Sequence, residues 1–109
     1  MDSDFRLRRA SDFKRAYSSR RRRDGRLLVV HVVASQLDHP RIGFSVSSKV
    51  GGAVRRNRVR RRLREASRPL IQASREGVDL VVVARPDASS ATFAELDTEL
   101  RELLGKLIS

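Results

Sequence analysis

Residues 41–65 read RIGFSVSSKVGGAVRRNRVRRRLRE, a segment in which three kinds of local structure follow one another without a gap. Apolar side chains alternate with small or polar ones over residues 41–47, which predicts a strand with one apolar face. The sequence Lys49-Val50-Gly51-Gly52 predicts a turn, and a helical pattern of apolar residues runs from about residue 53 to residue 68. A strand should therefore lead through a glycine turn into a helix.

The predicted helix has one narrow apolar stripe, and arginine covers most of its remaining surface. The stripe consists of Val59, Leu63, Ala66 and Leu70, at spacings of four, three and four residues. Pro69 should weaken any straight continuation of the helix. The basic positions are Arg55, Arg56, Arg58, Arg60, Arg61, Arg62, Arg64 and Arg68.

This helix carries more positive charge than its own acids can neutralise. Glu65 is the single acid among residues 55–68, and like charges four residues apart repel one another by roughly 0.2–0.5 kcal/mol per pair. An anionic partner would relieve this repulsion. Arginine matches phosphate with two parallel hydrogen bonds, and each neutralised phosphate releases condensed counterions. The helix is therefore predicted to bind nucleic acid.

The charge of the whole chain is divided unevenly. Of 109 residues, 24 are basic and 13 acidic, and 21 of the bases are arginine. Residues 1–75 hold 21 bases and 6 acids, whereas residues 76–109 hold 3 bases and 7 acids. This division favours a polyanionic partner over general solubility. The absence of cysteine excludes disulfides, thiolate zinc sites and cysteine nucleophiles.

The remaining segments predict one small α+β domain over residues 1–109. Residues 11–17 predict a short helix with Ser11 as its N-cap, and residues 20–23 a solvated basic loop closed by Asp24-Gly25. Residues 27–33 and 78–84 are apolar and β-branched, so they predict buried strands. No apolar stretch approaches the length of a membrane span, and acids occupy the start of the chain. We expect an intracellular, soluble protein that does not bind membranes.

The last segment predicts an amphipathic helix. Thr92 and Glu95 form a capping-box pattern at its start. The exposed side pairs Asp97 with Arg101 and Glu102 with Lys106. The apolar side carries Leu96, Leu100, Leu103, Leu104 and Leu107.

Residues 41–65 resemble the signature of the bacterial ribonuclease P protein subunit, whose RNR element corresponds to Arg56-Asn57-Arg58. Residues 7–9, 12–13 and 17 resemble the opening of that family, and residues 79–85 resemble its last strand. The resemblance implies an αβββαβα domain of the ribosomal-protein-S5-domain-2-like class. It also implies a left-handed crossover around the RNR helix.

The resemblance implies a subunit of an enzyme whose chemistry is carried by RNA. In bacterial ribonuclease P an RNA subunit uses Mg²⁺ to remove the 5′ leader from precursor tRNA, and the protein binds both RNAs. It implies a cytoplasmic protein that is monomeric within the ribonucleoprotein, with ribonuclease P RNA and precursor tRNA as partners. The resemblance therefore implies that the protein itself has no catalytic or metal-ligating residue. The sequence agrees with this expectation, because it contains no carboxylate cluster or histidine pair suited to a nuclease.

The resemblance also assigns roles to individual residues. The aromatic residues Phe13 and Tyr17, with the sheet face around Val29 and His31, are expected to hold the single-stranded leader. Stacking on aromatic rings tolerates any base sequence. The residues expected to contact RNA are Lys49, Arg55, Arg56, Asn57, Arg58, Arg60, Arg61, Arg64 and Arg68.

The sequence departs from the family pattern at four positions. Gly52 stands where asparagine is usual, Arg60 where lysine is common, Ser67 where an aromatic residue often occurs, and His31 where some members carry tyrosine. Three alternatives are a ribosomal or regulatory RNA-binding protein, a basic-region DNA-binding protein and a protein nuclease. The uninterrupted glycine-turn-to-RNR segment favours ribonuclease P, because RNA affinity alone does not require it.

Overall fold

The computed structural model describes residues 5–105, in which helices and strands follow the order αβββαβα. The elements are α1 (Ala10–Tyr17), β1 (Arg21–Asp24), β2 (Leu28–Ala34), β3 (Arg41–Ser45), α2 (Ala53–Ala73), β4 (Val78–Ala84) and α3 (Phe93–Gly105). A short 3-10 helix, Pro86–Ser90, connects β4 to α3. The predicted α+β class and element order are confirmed.

The four strands of the described chain form one sheet in the order β1-β2-β4-β3. β2 is antiparallel to both of its neighbours, and β3 is parallel to β4. The parallel pair is joined by α2, because a parallel connection needs a crossover rather than a hairpin. On the free edge of β3, Ile42 forms an isolated parallel bridge with Arg6. The N-terminal segment thus lies along the β3 edge of the sheet.

The two faces of the sheet are covered differently. Val30, Leu80 and Val82 point into a core with the buried side chains of α2 and α3, among them Leu63 and Leu100. The opposite face carries α1, whose Ala16 packs with Leu7 and Val81. His31, Ser45 and Val83 on this face remain partly exposed. We call it the open face of the sheet.

Two predictions about residues 9–24 are wrong. Helix α1 begins at Ala10, with Arg9 at the N-cap position and no side-chain cap, so Ser11 lies inside the helix. Residues 21–24 are not a loop but the edge strand β1, in which Arg22 pairs with His31. The Glu99 carboxylate of α3 fixes the following turn by accepting the N–H groups of Arg26, Leu27 and Leu28 at 3.0, 2.8 and 2.7 Å. Four charged residues can form this edge strand because all four side chains remain exposed to solvent.

Helix α2 is longer than predicted. It continues through Pro69 to Ala73. Ile71 is fully buried and Leu70 partly buried, so the apolar stripe extends beyond the proline. Burial of these side chains outweighs the missing hydrogen bond, which costs about 3 kcal/mol in a helix interior.

Helix α3 begins as the sequence predicts. Glu95 donates its backbone N–H to the Thr92 hydroxyl, and its carboxylate accepts the Thr92 N–H. The hydrogen bond from the Thr92 backbone to this carboxylate lowers the pKa of Glu95. The Asp97 to Arg101 pair is present at 3.1 Å. Leu107 and Lys106 lie outside the described residues. Within residues 5–105, no helix has the length and apolar character required to span a bilayer.

Candidate nucleic-acid interface

The basic face of α2 keeps almost all of its positive charge uncompensated. Among residues 5–105, Glu65 is the only acidic side chain that pairs with an α2 arginine, and it lies 3.7 Å from Arg68. Arg55 and Arg61 are exposed, and the other arginines of the helix are partly exposed. Lys49 is exposed in the turn ahead of the helix. All of the residues expected to contact RNA therefore lie on α2 or directly before it.

Some α2 arginines are held by the protein itself. Arg60 donates to Asn57 Oδ1 at 3.2 Å and to the Val46 carbonyl at 3.3 Å, which ties the helix to the end of β3. Arg62, which is not among the residues expected to contact RNA, donates to the Ala91 carbonyl at 2.8 Å. These two side chains are therefore pre-oriented, whereas Arg61 is exposed and is not held by any of residues 5–105.

The glycine turn positions the start of α2. Gly51 has φ +146°, a conformation that side chains with a Cβ rarely adopt, and a Cβ there would lie 2.8 Å from Arg55 Cδ. Gly52 is the N-cap residue, and a Cβ at this position would meet no atom within 4 Å. The turn thus requires glycine at 51 but not at 52, which explains why the departure at Gly52 leaves the fold intact.

A groove connects α2 to α1 across the β3 edge. It has a volume of about 160 Å³, and Phe13, Gly43, Arg60 and Arg64 contribute to its lining together with Arg6. Phe13 packs so closely on Gly43 that a Cβ there would lie 2.8 Å from the ring Cε1. The first aromatic residue of α1 therefore shares a groove with two arginines of α2. Neither Arg6 nor Gly43 was predicted from the sequence to belong to the site, although a glycine inside an alternating strand can mark a close approach.

Tyr17 and His31 form the second aromatic group on the open face. Their ring centroids are 5.1 Å apart and the rings are nearly perpendicular, at 84°. Tyr17 is 43% exposed, whereas Val29 is only 7% exposed and offers little surface to a ligand. Burial, and then the charge of Arg22, lower the pKa of His31, while Asp24 acts in the opposite direction. His31 Nδ1 is buried and has no hydrogen-bond partner among residues 5–105.

A buried carboxylate anchors α1 to the sheet. Asp79 of β4 is fully buried and accepts hydrogen bonds from Arg15 of α1 and from Arg41 of β3. Arg41 reaches both oxygens, at 2.9 and 2.8 Å, and this hydrogen bonding raises the pKa of Arg41. Arg15 also donates to the Ala34 carbonyl at 2.9 Å. The position of Phe13 and Tyr17 over the sheet thus depends on the ion pair between Arg15 of α1 and the buried Asp79 of β4.

Two residues of β1 also belong to the open face. Arg22 lies opposite His31 and Asp24 opposite Val29, and directly opposed residues of antiparallel strands share a face. Arg22 Nε donates to Asp24 Oδ1 at 2.9 Å. This arrangement could not be predicted from the sequence, because residues 20–23 read as a loop and a loop has no regular faces.

No metal-ligating residue can be assigned from the geometry. Among residues 5–105, no group of three or more histidine, aspartate or glutamate side chains is arranged to hold a metal ion. The acidic groups near the candidate surface, Asp12, Asp24 and Asp79, are each engaged by an arginine.

All of the comparisons with known proteins identify the same family. The family model described as Ribonuclease P matches residues 1–108. The ribonuclease P protein component of Acidothermus cellulolyticus is 47% identical over 111 residues, a match covering 98% of this chain and 91% of that protein. A solved mutant of the Staphylococcus aureus RNase P protein with defective mRNA degradation activity superposes with a TM-score of 0.89 at 30% identity, covering 97% of this chain and 91% of the other. The RNase P protein from Thermotoga maritima gives a TM-score of 0.79 at 29% identity, covering 89% and 92%.

Proposed function

The chain belongs to the ribonuclease P protein family, and we propose that it binds two different RNAs, one on the basic face of α2 and one on the aromatic surface formed by α1 and the open face of the sheet. As the protein component of ribonuclease P it takes part in maturation of the 5′ ends of tRNA. The basic face of α2 binds the catalytic RNA of the holoenzyme. Helix α1 and the open face of the sheet bind the single-stranded 5′ leader of precursor tRNA.

The uncompensated charge of α2 is the observation that carries this proposal. The arginines of this helix have one acidic partner within the described chain, so they repel one another unless solvent ions or a polyanion screen their charge. Displacing those ions by RNA phosphates releases them, which drives binding. The residues proposed to contact RNA are Lys49, Arg55, Arg56, Asn57, Arg58, Arg60, Arg61, Arg64 and Arg68.

The leader surface combines rings with adjacent charge. Phe13 lies in the groove lined by Arg60 and Arg64, and Tyr17 projects beside His31 one helical turn later. An extended single strand can place successive bases on such rings while its phosphates meet the flanking arginines. Stacking does not read base identity, which suits an enzyme whose substrates carry different leaders. We keep Val29 in this surface only as part of its floor, since its side chain is almost covered.

We assign hydrolysis to the RNA subunit and to Mg²⁺ bound by RNA. Bound Mg²⁺ supplies an activated water and stabilises the charge that develops on the phosphate. The described residues do not fit such an ion, because they contain no group of three or more histidine, aspartate or glutamate side chains arranged to hold one. The protein therefore contributes binding and orientation of the two RNAs. We further propose that a single domain over residues 1–109 acts as a monomer within a cytoplasmic ribonucleoprotein.

Reconstitution tests this function directly. The purified protein should allow a bacterial ribonuclease P RNA to cleave precursor tRNA at a Mg²⁺ concentration too low for the RNA alone. The protein without RNA should leave the substrate intact under the same conditions. Site-specific 5′ cleavage by the protein alone, or no gain over the RNA alone, would contradict the proposal.

A further inference from the structure

We infer that Arg22 of β1 binds a phosphate of the 5′ leader, upstream of the nucleotides that stack on α1. This inference rests on the leader surface proposed above. It adds a cationic position at the sheet edge farthest from the groove beside α2. The sequence alone indicates only that residues 20–23 form a solvated basic loop with weak contacts to RNA, and the family resemblance assigns no role to Arg22.

The topology places four groups in one line across the open face. Phe13 lies over Gly43 of β3, at the edge next to α2. Tyr17, at the other end of α1, contacts His31 of β2. The sheet order then places β1 at the far edge, where Arg22 lies opposite His31. A strand that leaves the catalytic RNA beside α2 and stacks on Phe13 and Tyr17 is thus directed toward Arg22.

The register of β1 separates Arg22 from its arginine neighbours. Arg22 shares a face with His31, whereas Arg21 and Arg23 lie opposite Val32 and Val30. Both valines are fully buried in the core beneath α2 and α3. Because successive side chains of a strand point to opposite faces, Arg21 and Arg23 project away from the leader surface. Three consecutive arginines therefore divide between two sides of the sheet.

The environment of Arg22 leaves it available to a phosphate. Its side chain is 51% exposed, and Asp24 Oδ1 lies 2.8 Å from its Nη2. An ion pair this exposed contributes little stability. The guanidinium group has five N–H donors and Asp24 engages two of them, so a phosphate can bind beside the carboxylate or displace it. Arg22 therefore combines positive charge, exposure and the correct face.

The strand that carries Arg22 is held in place by distant residues. The Glu99 carboxylate accepts three N–H groups of the turn after β1, and Arg85 Nε donates to the Gly25 carbonyl at 2.9 Å. Arg22 is thus presented on an ordered edge strand rather than on a loop. A phosphate contact at this position requires little additional ordering of the chain.

The register supplies a matched pair of variants for the test. Arg22→Gln and Arg23→Gln remove the same charge one residue apart, on opposite faces. We would measure the affinity of the reconstituted holoenzyme for precursor tRNAs with a long leader and with a leader of one nucleotide. Arg22→Gln should weaken binding of the long-leader substrate by about three- to ten-fold. This loss is smaller than that expected on removal of a fully desolvated charged hydrogen bond, because Arg22 is exposed. It should leave the short-leader substrate unchanged, and Arg23→Gln should change neither.

A second variant tests the same contact in the opposite direction. Asp24→Asn removes the carboxylate that competes for Arg22, so affinity for the long leader should increase. Thermal melts of all variants check folding. The inference is wrong if Arg22→Gln and Arg23→Gln lose affinity equally, which would indicate a diffuse charge effect. It is also wrong if neither loses affinity while Tyr17→Ala does. If Tyr17→Ala shows no leader-dependent loss either, the proposed leader surface itself is contradicted.

Discussion

The ring of Phe13 on α1 lies against the backbone of Gly43 on β3 at a separation that leaves no room for a side chain. A Cβ on Gly43 would meet the ring Cε1 at 2.8 Å and Leu7 Cβ at 3.1 Å. The absence of a side chain at one strand position thus sets how deeply α1 sits on the sheet. It also sets the width of the groove that α1 shares with Arg60 and Arg64.

Gly43→Ala should therefore disturb the leader surface from beneath. The methyl group forces the Phe13 ring outward, and overpacking of this kind costs about 1–3 kcal/mol of unfolding free energy. Denaturant unfolding measures this loss. Gly52→Ser is the control, because its Cβ meets no atom within 4 Å. Phe13→Leu combined with Gly43→Ala should recover part of the loss, and strictly additive effects would contradict the contact.

The basic face of α2 gives a prediction about salt. Arg61→Ala removes an exposed guanidinium that has no acidic partner within the described part of the chain, so binding of the catalytic RNA should weaken. The slope of log K against log salt concentration should become shallower by about 0.7–0.9, the value for one phosphate. Arg101→Ala removes an arginine of α3 that pairs with Asp97 and should leave the slope unchanged. An unchanged slope for Arg61→Ala would show that this side chain does not contact phosphate.

The anchor beneath α1 predicts a large loss of stability. Asp79→Asn keeps the shape of a fully buried side chain but leaves Arg15 and Arg41 without their common carboxylate. Removing one partner from a buried ion pair costs about 3–5 kcal/mol, and partial exposure of both arginines places this site at the lower end. Asp97→Asn, at an exposed pair on α3, should cost far less. Similar melting temperatures for the two variants would contradict this assignment.

The sequence was most informative where local chemistry and burial agree. The β-branched runs predicted β2 and β4, and the Thr92 and Glu95 pattern predicted the start of α3, because each signal lies within the element that it forms. β1 could not be predicted in this way. Its four charged residues have no strand signal of their own, and they pair because β2 offers an edge and Glu99 of α3 fixes the adjoining turn.

The same distinction applies to the candidate surface. Phe13 and Tyr17 were indicated by their spacing and by the family resemblance, and the structure shows which strands they meet. Arg22 was missed because its side of the sheet depends on the register of β1 with β2. The extension of α2 past Pro69 was missed for a related reason, since only the packed core shows that Ile71 is buried.

The environment of His31 predicts a pH dependence of stability. Burial and the charge of Arg22 on β1 lower its pKa below the usual 6.5, against an opposing contribution from Asp24. Tyr17 of α1 packs on the ring, and Val81 of β4, opposite His31, adds no charge. The unfolded chain therefore binds the proton more tightly than the folded protein. The contribution of His31 to stability should be fully present above about pH 6.5 and should decrease as the pH falls from there toward the lower pKa of the folded state.

His31→Gln checks the origin of this effect. The variant should lose the part of the decrease that begins near pH 6.5, as measured by unfolding at pH 5 to 8. His39→Gln, which removes the other histidine of the chain, is the matched control. A profile that His31→Gln leaves unaltered would assign the pH dependence to other groups.

Tyr17 offers the cleanest test of leader stacking. It is 43% exposed and makes an edge contact with His31, whereas Phe13 is packed against the sheet. Tyr17→Ala should weaken binding of a long-leader precursor tRNA by about 1–3 kcal/mol, the contribution of one stacked base. Assembly of the holoenzyme, which depends on α2, should be unaffected. The chain has one tyrosine and no tryptophan, so leader binding should also change a fluorescence signal that reports on Tyr17 alone.

The leader dependence of the effect separates stacking from a structural role. Tyr17→Phe keeps an aromatic ring and should retain most of the affinity, whereas a loss caused by misfolding would appear with every substrate. Substrates that carry a single leader nucleotide should bind wild type and Tyr17→Ala equally, because no upstream base then reaches the ring. If Tyr17→Ala is folded and loses the same affinity for short and long leaders, Tyr17 does not stack a leader base. The proposed path of the leader from Phe13 toward β1 is then wrong.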